Sequence, residues 1–471
     1  MSMSPRNSLE ALAQTVRHEL ELLNYPNLEW LPEPLESGKA RVHDVLIVGG
    51  GQAGLALSFA LRRELVRNVL VLDRAPAGQE GPWRTFARMR TLRTPKYLTG
   101  LDIGVPSLTF RAWYEAQPTL GQWDSLVRIP RLLWSDYLDW YRTVLDIDVH
   151  NECEVALVEA DEGGRLAVTV RSATGVTREV ARKVVFCNGI DGAGEWRIPA
   201  AFSSAIAPHL RAHTSDYIDF SELKGKKIAV LGAGASAMDA ATMALDNGAS
   251  RVDLFCRRPH LLEEEQRGWL ENNGFLSHYC ELDDARKWKI MKRFLEKGSP
   301  APAWSIKQAS ENAEFHQHLA CSWIRAWSND QQIFIETNLG HFCADFAIFG
   351  TGQVVDLRLR TEFSKVVHQI ATWGDRYAPP PDESYPPLEL YPYLGIGYQL
   401  TEKHLGQASF LSNIHLFNWA ATASNGVSGS NITGMKFGLR RVVDAVTKDL
   451  YFSIADQHAA AFTDRRAASS Q

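Results

Sequence analysis

Cysteine is scarce in this sequence, and no two cysteines form a paired motif. The chain has six, none of them spaced as CxxC or CxxxxC: Cys153, Cys187, Cys256, Cys280, Cys321 and Cys343. This spacing argues against a dithiol redox centre, because such a centre needs two thiols within reach of each other. We expect free, mostly buried thiols, which suit a reducing compartment, and we predict a cytoplasmic protein.

Long apolar runs and an excess of one charge are also absent. No run of about 18 apolar residues occurs, and the first residues, MSMSPRNSLEALAQ, lack the apolar core of a signal peptide. Lysine and arginine together number 50 against 55 aspartates and glutamates, which gives a net charge of −5. We therefore expect neither a membrane nor a nucleic acid as a partner.

The sequence further lacks the short motifs of several catalytic centres. It contains no HExxH, GxxxxGKS/T or GxSxG pattern. His316 and His318 alone are too few for a metal site, so we predict no bound metal. The difficult chemistry is then expected to belong to an organic cofactor.

What the sequence does contain is a strand, glycine loop, helix, strand pattern that occurs twice. The first copy runs from Val45 to Asp73 and the second from Lys227 to Arg258. The length of 471 residues leaves room for two or three domains. We predict an α/β fold with two Rossmann-like dinucleotide-binding domains.

The first copy has the GxGxxG spacing that binds the pyrophosphate of a dinucleotide. Gly49, Gly51 and Gly54 lie between an apolar strand and a helix rich in alanine and leucine. Glycine there permits a tight turn, lets the pyrophosphate approach the N–H groups at the helix start, and allows close packing of helix and strand. Asp73 ends the next strand, where its carboxylate can bind a ribose. Three neighbours are expected to add cofactor contacts: Gln52, Ala53 and Arg74.

The second copy has the GxGxxA variant, with Ala237 at the third position. Its strand ends in Arg257 and Arg258 rather than in a carboxylate. Guanidinium groups can bind a ribose 2′-phosphate, which a carboxylate would repel, so the pattern favours NADPH over NADH. The alternative is that both arginines are solvated surface residues. The loop residues expected to contact the cofactor are Gly232, Gly234, Ala235 and Ser236.

Two short apolar strands that end in glycine set the expected domain layout. They are KVVFCNG, residues 183–189, and DFAIFGTG, residues 345–352, whose Gly352 is expected to lie near a cofactor. The predicted units are an N-terminal helix and extended arm (1–41), a discontinuous first dinucleotide domain (42–195 and 340–460), a second dinucleotide domain with an aromatic-rich helical segment (196–339) and a flexible tail (461–471).

With these motifs the sequence resembles the class B flavoprotein monooxygenases, the family of the flavin-containing monooxygenases. The resemblance covers roughly residues 45–446 and rests on the paired glycine motifs, on Gly81-Pro82-Trp83, on LRTPK at residues 92–96 and on the two glycine-ended strands. It implies that the first motif, with Asp73, holds FAD and that the second, with Arg257, holds NADPH. It also implies that Trp83 lies near the flavin. The NADPH domain is then inserted into a discontinuous FAD domain.

The resemblance also implies a reaction. NADPH would reduce FAD, and one atom of O₂ would pass to a soft nucleophile of a small molecule while the other leaves as water. We expect N-oxygenation of an amine or amino acid rather than S-oxygenation. Baeyer–Villiger oxygenation, a non-oxygenating FAD and NADPH oxidoreductase, and a redox-sensing protein that binds both cofactors stay open. A homodimer also stays open.

One fingerprint of that family, FxGxxxHxxx followed by an aromatic residue, is only half present. His213 and Tyr217 keep their places, whereas Ala207 and His209 replace the phenylalanine and the glycine. His213 is therefore a tentative catalytic residue. We favour the alternative, a structural histidine at the domain hinge.

Residues 84–96 hold five basic side chains and no acidic one: Arg84, Arg88, Arg90, Arg93 and Lys96. Some are expected to reach a cofactor phosphate or the carboxylate of a substrate, and the alternative is a solvated face. Arg93 and Lys96 are the preferred candidates, and Lys96 is a tentative catalytic residue.

The C-terminal part carries one further candidate. The loop NGVSGSNITG, residues 425–434, precedes a helix predicted from Asn431 to Leu450. Its backbone N–H groups can stabilise negative charge on a reduced flavin. The alternative is a plain loop and helix cap.

Overall fold

The computed structural model describes residues 5–23, 28–32, 36–37, 40–98, 100–262, 269–429 and 431–460. The predicted tail, residues 461–471, and parts of the predicted N-terminal arm lie outside the described residues. The α-helices of the described residues are α1 (Pro5–Leu22), α2 (Gln52–Arg63), α3 (Phe110–Glu115), α4 (Arg131–Val144), α5 (Ala200–Ser203), α6 (Ala235–Asp246), α7 (Asn273–His278), α8 (Asp284–Lys297), α9 (Ala303–Ser310), α10 (Trp373–Arg376), α11 (Pro386–Glu389), α12 (Thr422–Asn425) and α13 (Ile432–Phe452). Within this part of the chain, no helix combines the length and the apolar character needed to cross a bilayer.

The first sheet has seven strands and carries the first glycine loop. Its strands are β1 (Glu36–Ser37), β2 (Ala40–Val48), β3 (Val69–Leu72), β4 (Glu154–Ala160), β5 (Leu166–Ser172), β6 (Gly175–Phe186) and β17 (Ile414–Leu416). Strands β3, β2, β6 and β17 are parallel neighbours, whereas β4 and β5 extend the sheet antiparallel to β6. The apolar run of β2 is buried, as expected for a strand covered on both faces. The parallel strands all end at one edge, where Gly49, Asp73 and Cys187 follow them.

The second sheet has five parallel strands and carries the second glycine loop. In spatial order they are β11 (Phe315–His318), β10 (Arg251–Phe255), β9 (Lys227–Leu231), β15 (Phe346–Phe349) and β8 (Arg211–His213). The alanine-rich face of α6 packs on one side of this sheet. The other side packs on an antiparallel sheet of β12 (Trp323–Ser328), β13 (Ile333–Thr337) and β14 (Gly340–Ala344). This arrangement confirms the predicted α/β fold with two Rossmann-like units, the second inserted into the first.

The sheet pairing moves one predicted boundary. Residue 339 lies in the turn between β13 and β14, and residue 340 begins β14. Strand β15 pairs with β8 and β9 rather than with the first sheet. The second unit therefore continues to about Phe349. An apolar strand that ends in glycine reads the same in either sheet, so the sequence pattern alone could not show which sheet it joins. The division of the chain into cofactor domains stays a prediction.

A two-stranded ribbon connects the two units. Strand β7 (Gly194–Trp196), before the second sheet, pairs antiparallel with β16 (Gln353–Val355), which follows it. The two segments through which the chain passes between the units therefore lie side by side. A Cβ on Gly194 would lie 1.9 Å from the carbonyl oxygen of Val354, so the ribbon is tightly packed there.

The N-terminal and C-terminal helices form as predicted. Helix α1 begins at Pro5, and the hydroxyl of Ser8 donates from inside the helix to the carbonyl of Ala116. Helix α13 is capped by Asn431, which accepts from the N–H of Gly434. The apolar face of this helix is buried: Met435, Leu439, Val442, Val446 and Leu450.

Helices α7 and α8 of the predicted aromatic-rich segment, residues 269–297, pack on the first unit, although they lie between strands β10 and β11 of the second. Trp288 of α8 is 1% exposed, and its ring centroid lies 6.2 Å from that of Trp373 and 5.6 Å from that of Tyr377. Its Nε1 donates to the carbonyl of Glu383 at 2.8 Å. The segment therefore ties the inserted unit to the C-terminal part of the chain.

Replacing Trp288 with alanine should lower the free energy of unfolding by about 3–5 kcal/mol, because the change opens a cavity in this shared core. Trp269→Ala is the matched control, since Trp269 lies in the same segment but is 66% exposed. The control should change the free energy of unfolding by about 0.5 kcal/mol or less. Urea denaturation with FAD in excess measures both. Equal losses in the two variants would show that α8 does not pack as described.

Candidate functional site

A cleft of about 1740 Å³ runs along the carboxyl ends of both parallel sheets. Both glycine loops line it, and so do most of the predicted site residues: Gly49, Gly51, Gln52, Ala53, Asp73, Arg74, Trp83, Gly232, Gly234, Ala235, Ser236, Arg257, Arg258 and Gly352. Sites for one small molecule typically enclose about 300–1,000 Å³. The cleft therefore has room for more than one ligand, at the edges where open α/β sheets bind them.

The three glycines of the first loop have different surroundings. A Cβ on Gly54 would lie 1.8 Å from the carbonyl oxygen of Gly49, and one on Gly49 would lie 2.8 Å from that of Cys187. Because Gly49 and Gly54 have no side chain, helix α2, the glycine loop and the end of β6 can pack closely against one another. A Cβ on Gly51 would meet nothing closer than Gly81 at 3.8 Å, so this position faces the cleft.

The start of α2 forms an anion site beside Gly51. Gly51 is the N-cap and provides no side-chain cap, and the first N–H groups of a helix have no partner within the helix. Together with the positive end of the helix dipole, these N–H groups suit a pyrophosphate. The residues present therefore fit the dinucleotide expected at this loop.

Asp73 is buried at the end of β3 and is anchored by the backbone. Its Oδ2 accepts from the N–H of Gly50 and its Oδ1 from the N–H of Ala75, both at 2.7 Å. Burial raises the pKa of this carboxyl above its usual range, and the two backbone N–H groups oppose that rise. Each carboxylate oxygen keeps a second lone pair that a ribose hydroxyl can use.

Two other predicted contacts of the first loop are also in place at the cleft. Arg74 forms an ion pair with Asp191 at 3.2 Å. Gln52 accepts a hydrogen bond from Nε1 of Trp134 at 3.2 Å, and the Trp134 ring lies edge-on to that of Trp83 with 6.4 Å between the centroids. Trp134 was missed in the sequence, because an aromatic residue on a helix is more often a plain core residue.

The second glycine loop is also tightly packed. A Cβ on Gly232 would lie 2.4 Å from the carbonyl oxygen of Gly350, and Ala237 is so near that a Cβ on Gly350 would lie 2.5 Å from it. One N–H group at the start of α6 is already used, since Ala235 donates to the carbonyl of Ser299 at 2.9 Å. Residues 298–300 therefore lie over this loop, and no sequence pattern indicated it. The rest of the helix start, with Ser236, fits a pyrophosphate.

The two arginines after β10 differ in their surroundings. Arg258 donates to the carbonyls of Glu296 and Lys297, at 3.0 and 3.2 Å, at the C-terminal end of α8. Such bonds suit the negative end of the helix dipole. Arg257 is exposed at the cleft, and no hydrogen bond or ion pair joins its guanidinium to any described residue. Arg257 is therefore the guanidinium of the two that can turn to a ligand.

His213 ends β8 but does not line the cleft. Its Nδ1 bonds with the hydroxyl of Ser215 at 2.8 Å, and its ring lies against that of Trp196, with 5.3 Å between centroids. Burial lowers the pKa of His213 to about 4, with Asp216 opposing the shift, so the ring is neutral at pH 7. This placement beside β7 fits the structural alternative, and the tentative catalytic role of His213 stays a prediction.

The other tentative catalytic residue, Lys96, is bound by protein groups. Its Nζ donates to the carbonyl of Trp123 at 2.6 Å and lies 4.7 Å from the centroid of the Trp123 ring. The ammonium is thus engaged at a site outside the residues that line the cleft. A one-dimensional charge pattern does not reveal this, because the chain reverses direction after Pro95.

The arginines of residues 84–96 bind protein groups rather than standing free. Arg93 pairs with Asp239 and Arg90 with Asp246, both on α6. Arg88 donates to backbone carbonyls, and burial lowers its pKa to about 10. Arg88 and Arg93 are therefore not part of a solvated face, whereas the side chain of Arg90 is 51% exposed. All three arginines contact the second unit, and their proposed cofactor or substrate contacts stay predictions.

An aromatic wall lines the part of the cleft that is formed by the C-terminal half of the chain. We use this name for Phe294, Tyr385, Tyr391 and Trp419. The centroids of the Phe294 and Trp419 rings are 6.2 Å apart. Glu271 and Asn431, which also line the cleft, are joined by a bond of 3.1 Å from Nδ2 to Oε1. The loop at 425–434 lines the cleft through Val427 and Gly429, while Ser430 lies outside the described residues.

The cysteines and the metal-binding residues add no further centre. All six cysteines are free, which confirms the expectation, and four are buried. Burial raises the pKa of the Cys187 thiol far above its usual range, so it stays protonated. In the described ranges, no group of three or more His, Cys, Asp or Glu side chains is placed to hold a metal ion.

Comparisons with known proteins identify relatives of this chain. A family model described as "Pyridine nucleotide-disulphide oxidoreductase" matches residues 46–272. The FAD-dependent urate hydroxylase of Xanthomonas campestris pv. campestris is 39% identical over 444 residues, which are 94% of this chain and 93% of the relative. An uncharacterised CzcO-like oxidoreductase of Geobacillus kaustophilus is 25% identical over 193 residues, 41% of this chain and 49% of that protein.

Solved structures show the same fold at low identity. The ornithine hydroxylase of Pseudomonas aeruginosa superposes with a TM-score of 0.66 at 18% identity, over 87% of this chain and 100% of that chain. The L-lysine 6-monooxygenase of Pseudomonas syringae gives a TM-score of 0.65 at 18% identity, over 86% and 99% of the two chains. At such identities the likeness concerns the fold alone.

Gly51→Val should yield a folded protein that does not retain FAD, because the side chain enters the cleft without meeting the protein. Gly54→Val is the contrasting variant and should fail to fold, because its Cβ would overlap the Gly49 carbonyl. Far-ultraviolet circular dichroism reports the fold, and flavin absorbance after gel filtration reports FAD. A yellow Gly51→Val protein would remove the first loop as the FAD site.

Proposed function

The chain belongs to the class B flavoprotein monooxygenases, which use FAD and NADPH, and from this premise we propose that it hydroxylates a small planar heterocycle of the purine class, with urate as the first candidate. The observation that carries the proposal is the 39% identity to a urate hydroxylase along 93% of that relative. The aromatic wall of the cleft supports it, since flat aromatic surfaces bind a flat ring by stacking and burial.

We assign FAD to the first glycine loop and NADPH to the second. The N–H groups at the start of α2 bind the FAD pyrophosphate, and Asp73 binds its ribose. Gly232, Gly234 and Ser236 bind the pyrophosphate of NADPH. The FAD domain then comprises the first sheet and the C-terminal part of the chain, and the NADPH domain comprises the second sheet up to about Phe349.

We assign the 2′-phosphate of NADPH to Arg257, because a free guanidinium can form two parallel bonds to a phosphate. Arg258 has a different role, since it holds the end of α8.

Arg257→Ala should therefore raise the KM for NADPH by about tenfold or more, while the KM for NADH stays within about twofold, since one charge-assisted bond contributes roughly 1.5–3 kcal/mol. Arg258→Ala is the matched control, and it should raise both constants to a similar degree because it loosens α8. Steady-state NADPH and NADH oxidation measures the ratio. An unchanged preference in Arg257→Ala would contradict the assignment.

Bound FAD supplies the chemistry, by accepting a hydride equivalent from NADPH and activating O₂ for transfer of one oxygen atom. The side chains and backbone of the protein bind the cofactors, orient the substrate and shield it from water. The aromatic wall excludes water from the substrate, and Glu271, held by Asn431, can accept a hydrogen bond from a ring N–H. No side chain is needed as a nucleophile.

N-oxygenation of an amine or amino acid is the competing function. It rested on a basic stretch that could hold a substrate carboxylate. Arg90 and Arg93 of that stretch are instead paired with Asp246 and Asp239. The carboxylate of Glu271 at the cleft is the feature that still favours it, because a carboxylate can hold a substrate ammonium.

The proposal is tested by measuring NADPH oxidation and O₂ uptake with urate, xanthine, ornithine and lysine. Urate should raise the NADPH oxidation rate about tenfold or more above the rate without substrate, and mass spectrometry after reaction under ¹⁸O₂ should find one labelled atom in its product.

Stimulation and labelling with ornithine or lysine, but not with urate, would replace the proposal by N-hydroxylation. NADPH oxidation that yields only hydrogen peroxide with every compound would point to a non-oxygenating oxidoreductase.

A further inference from the structure

Two arginines from the first unit hold one face of α6. Asp239 and Asp246 lie seven residues apart on this helix, close to two turns, so their side chains share a face. Arg93 bonds to Asp239, and Arg90 bonds to Asp246 through both Nε, at 3.0 Å, and Nη2. The helix that begins with the second glycine loop is therefore held at its middle and at its end.

A third arginine of the same segment binds a different part of the second unit. Arg88 is 8% exposed and donates to the carbonyls of Thr214 and Asp216, at 2.5 Å for the latter. These residues directly follow β8, an edge strand of the second sheet. Its guanidinium also lies 5.3 Å from the centroid of the Phe220 ring.

The segment that carries these arginines is itself fixed to the first unit. The N–H of Leu92 donates to the carbonyl of Ile129 at 2.8 Å, and the N–H of Arg131 donates to that of Arg90 at 3.1 Å. Arg128 donates to the carbonyl of Arg93 at 3.2 Å. Motion of the segment is thus restrained at the base of α4, and the three arginines transmit that restraint to the second unit.

Of the two ion pairs, the one between Arg93 and Asp239 is shielded from water. The side chains of Arg93 and Asp239 are 15% and 8% exposed, against 51% and 34% for Arg90 and Asp246. Exposed pairs are weak and screened by salt, whereas loss of one partner from a buried pair leaves an uncompensated charge. The Arg93–Asp239 pair also lines the cleft.

We propose that Arg93 and Asp239, assisted by Arg88 and by the Arg90–Asp246 pair, are positioning residues that hold α6 at the angle required for hydride transfer from NADPH to FAD. The inference rests on the assignment of NADPH to the second loop. Hydride transfer requires reacting atoms about 3–3.5 Å apart, and a displacement of about 1 Å can slow a reaction about 100-fold. By restraining α6, the Arg93–Asp239 pair restrains that separation.

The test uses flavin reduction by NADPH under anaerobic conditions, without a substrate, followed by stopped-flow absorbance. Arg93→Gln and Asp239→Asn should each slow the limiting rate of reduction about 10- to 100-fold, while the Kd for NADP⁺ changes less than about threefold. The double variant should be no slower than the slower single variant, because both changes break one interaction. Arg93→Lys, which keeps the charge, should recover part of the rate.

Arg84→Gln is the matched control. Arg84 belongs to the same basic segment, but it pairs with Asp136 and Asp139 of α4, at 2.5 and 2.9 Å, within the first unit. Its loss should leave the reduction rate unchanged.

A second readout does not depend on activity. Hydrogen exchange at the amides of α6 should accelerate in Arg93→Gln and in Asp239→Asn, but not in Arg84→Gln. If the variants of the buried pair do not fold, the double variant Arg90→Gln with Asp246→Asn tests the exposed pair instead. It should slow flavin reduction about two- to fivefold, because an exposed ion pair contributes little free energy.

The proposal would be overturned by any of three results for the Arg93 and Asp239 variants. These are an unchanged rate of flavin reduction, an equal loss of rate and of NADP⁺ affinity, and additive effects in the double variant. The rate of flavin reduction by NADPH is measured in the wild-type protein without urate. This measurement does not depend on the identity of the substrate, so it tests the positioning role separately from the proposed substrate. If NADPH does not reduce the wild-type flavin, the cofactor assignment itself fails.

Discussion

The close contact between helix α2 and the loop before it is the constraint on which the site depends. The carbonyl oxygen of Gly49 occupies the space where a Cβ of residue 54 would be. Only a hydrogen fits there, and this proximity directs the N-terminus of the helix into the cleft. The second unit meets the same requirement with different atoms, since Ala237 packs on Gly350. In both cases, packing between helix and strand determines where backbone N–H groups face the cleft.

The sequence predicts the parts of this protein that depend on neighbouring residues. Glycine spacing, apolar strands and the carboxylate at Asp73 are local features, and the structure places these residues as expected. The helix at the C-terminal end follows in the same way from the period of its apolar residues. The fold class and the position of the two glycine loops can therefore be predicted from the sequence alone.

The features that the sequence did not predict are those that join distant segments. The partners of Arg88, Arg90 and Arg93 in the second unit lie 126 to 156 residues away along the chain. A run of basic residues without nearby acids looks the same whether it meets solvent, a ligand or another domain. The assignment of β15 to a sheet and the position of residues 298–300 over the second loop are likewise set by tertiary packing.

The helices α7 and α8 have a consequence for how separable the two halves of the chain are. They arise from the inserted unit, yet their apolar residues belong to the core that contains the first sheet. A nucleotide-binding module cut out at its sheet boundaries would leave Trp288, Met291 and Phe294 without their partners. The inserted unit is therefore interlocked with its host, and excision at those boundaries would expose these apolar side chains to water.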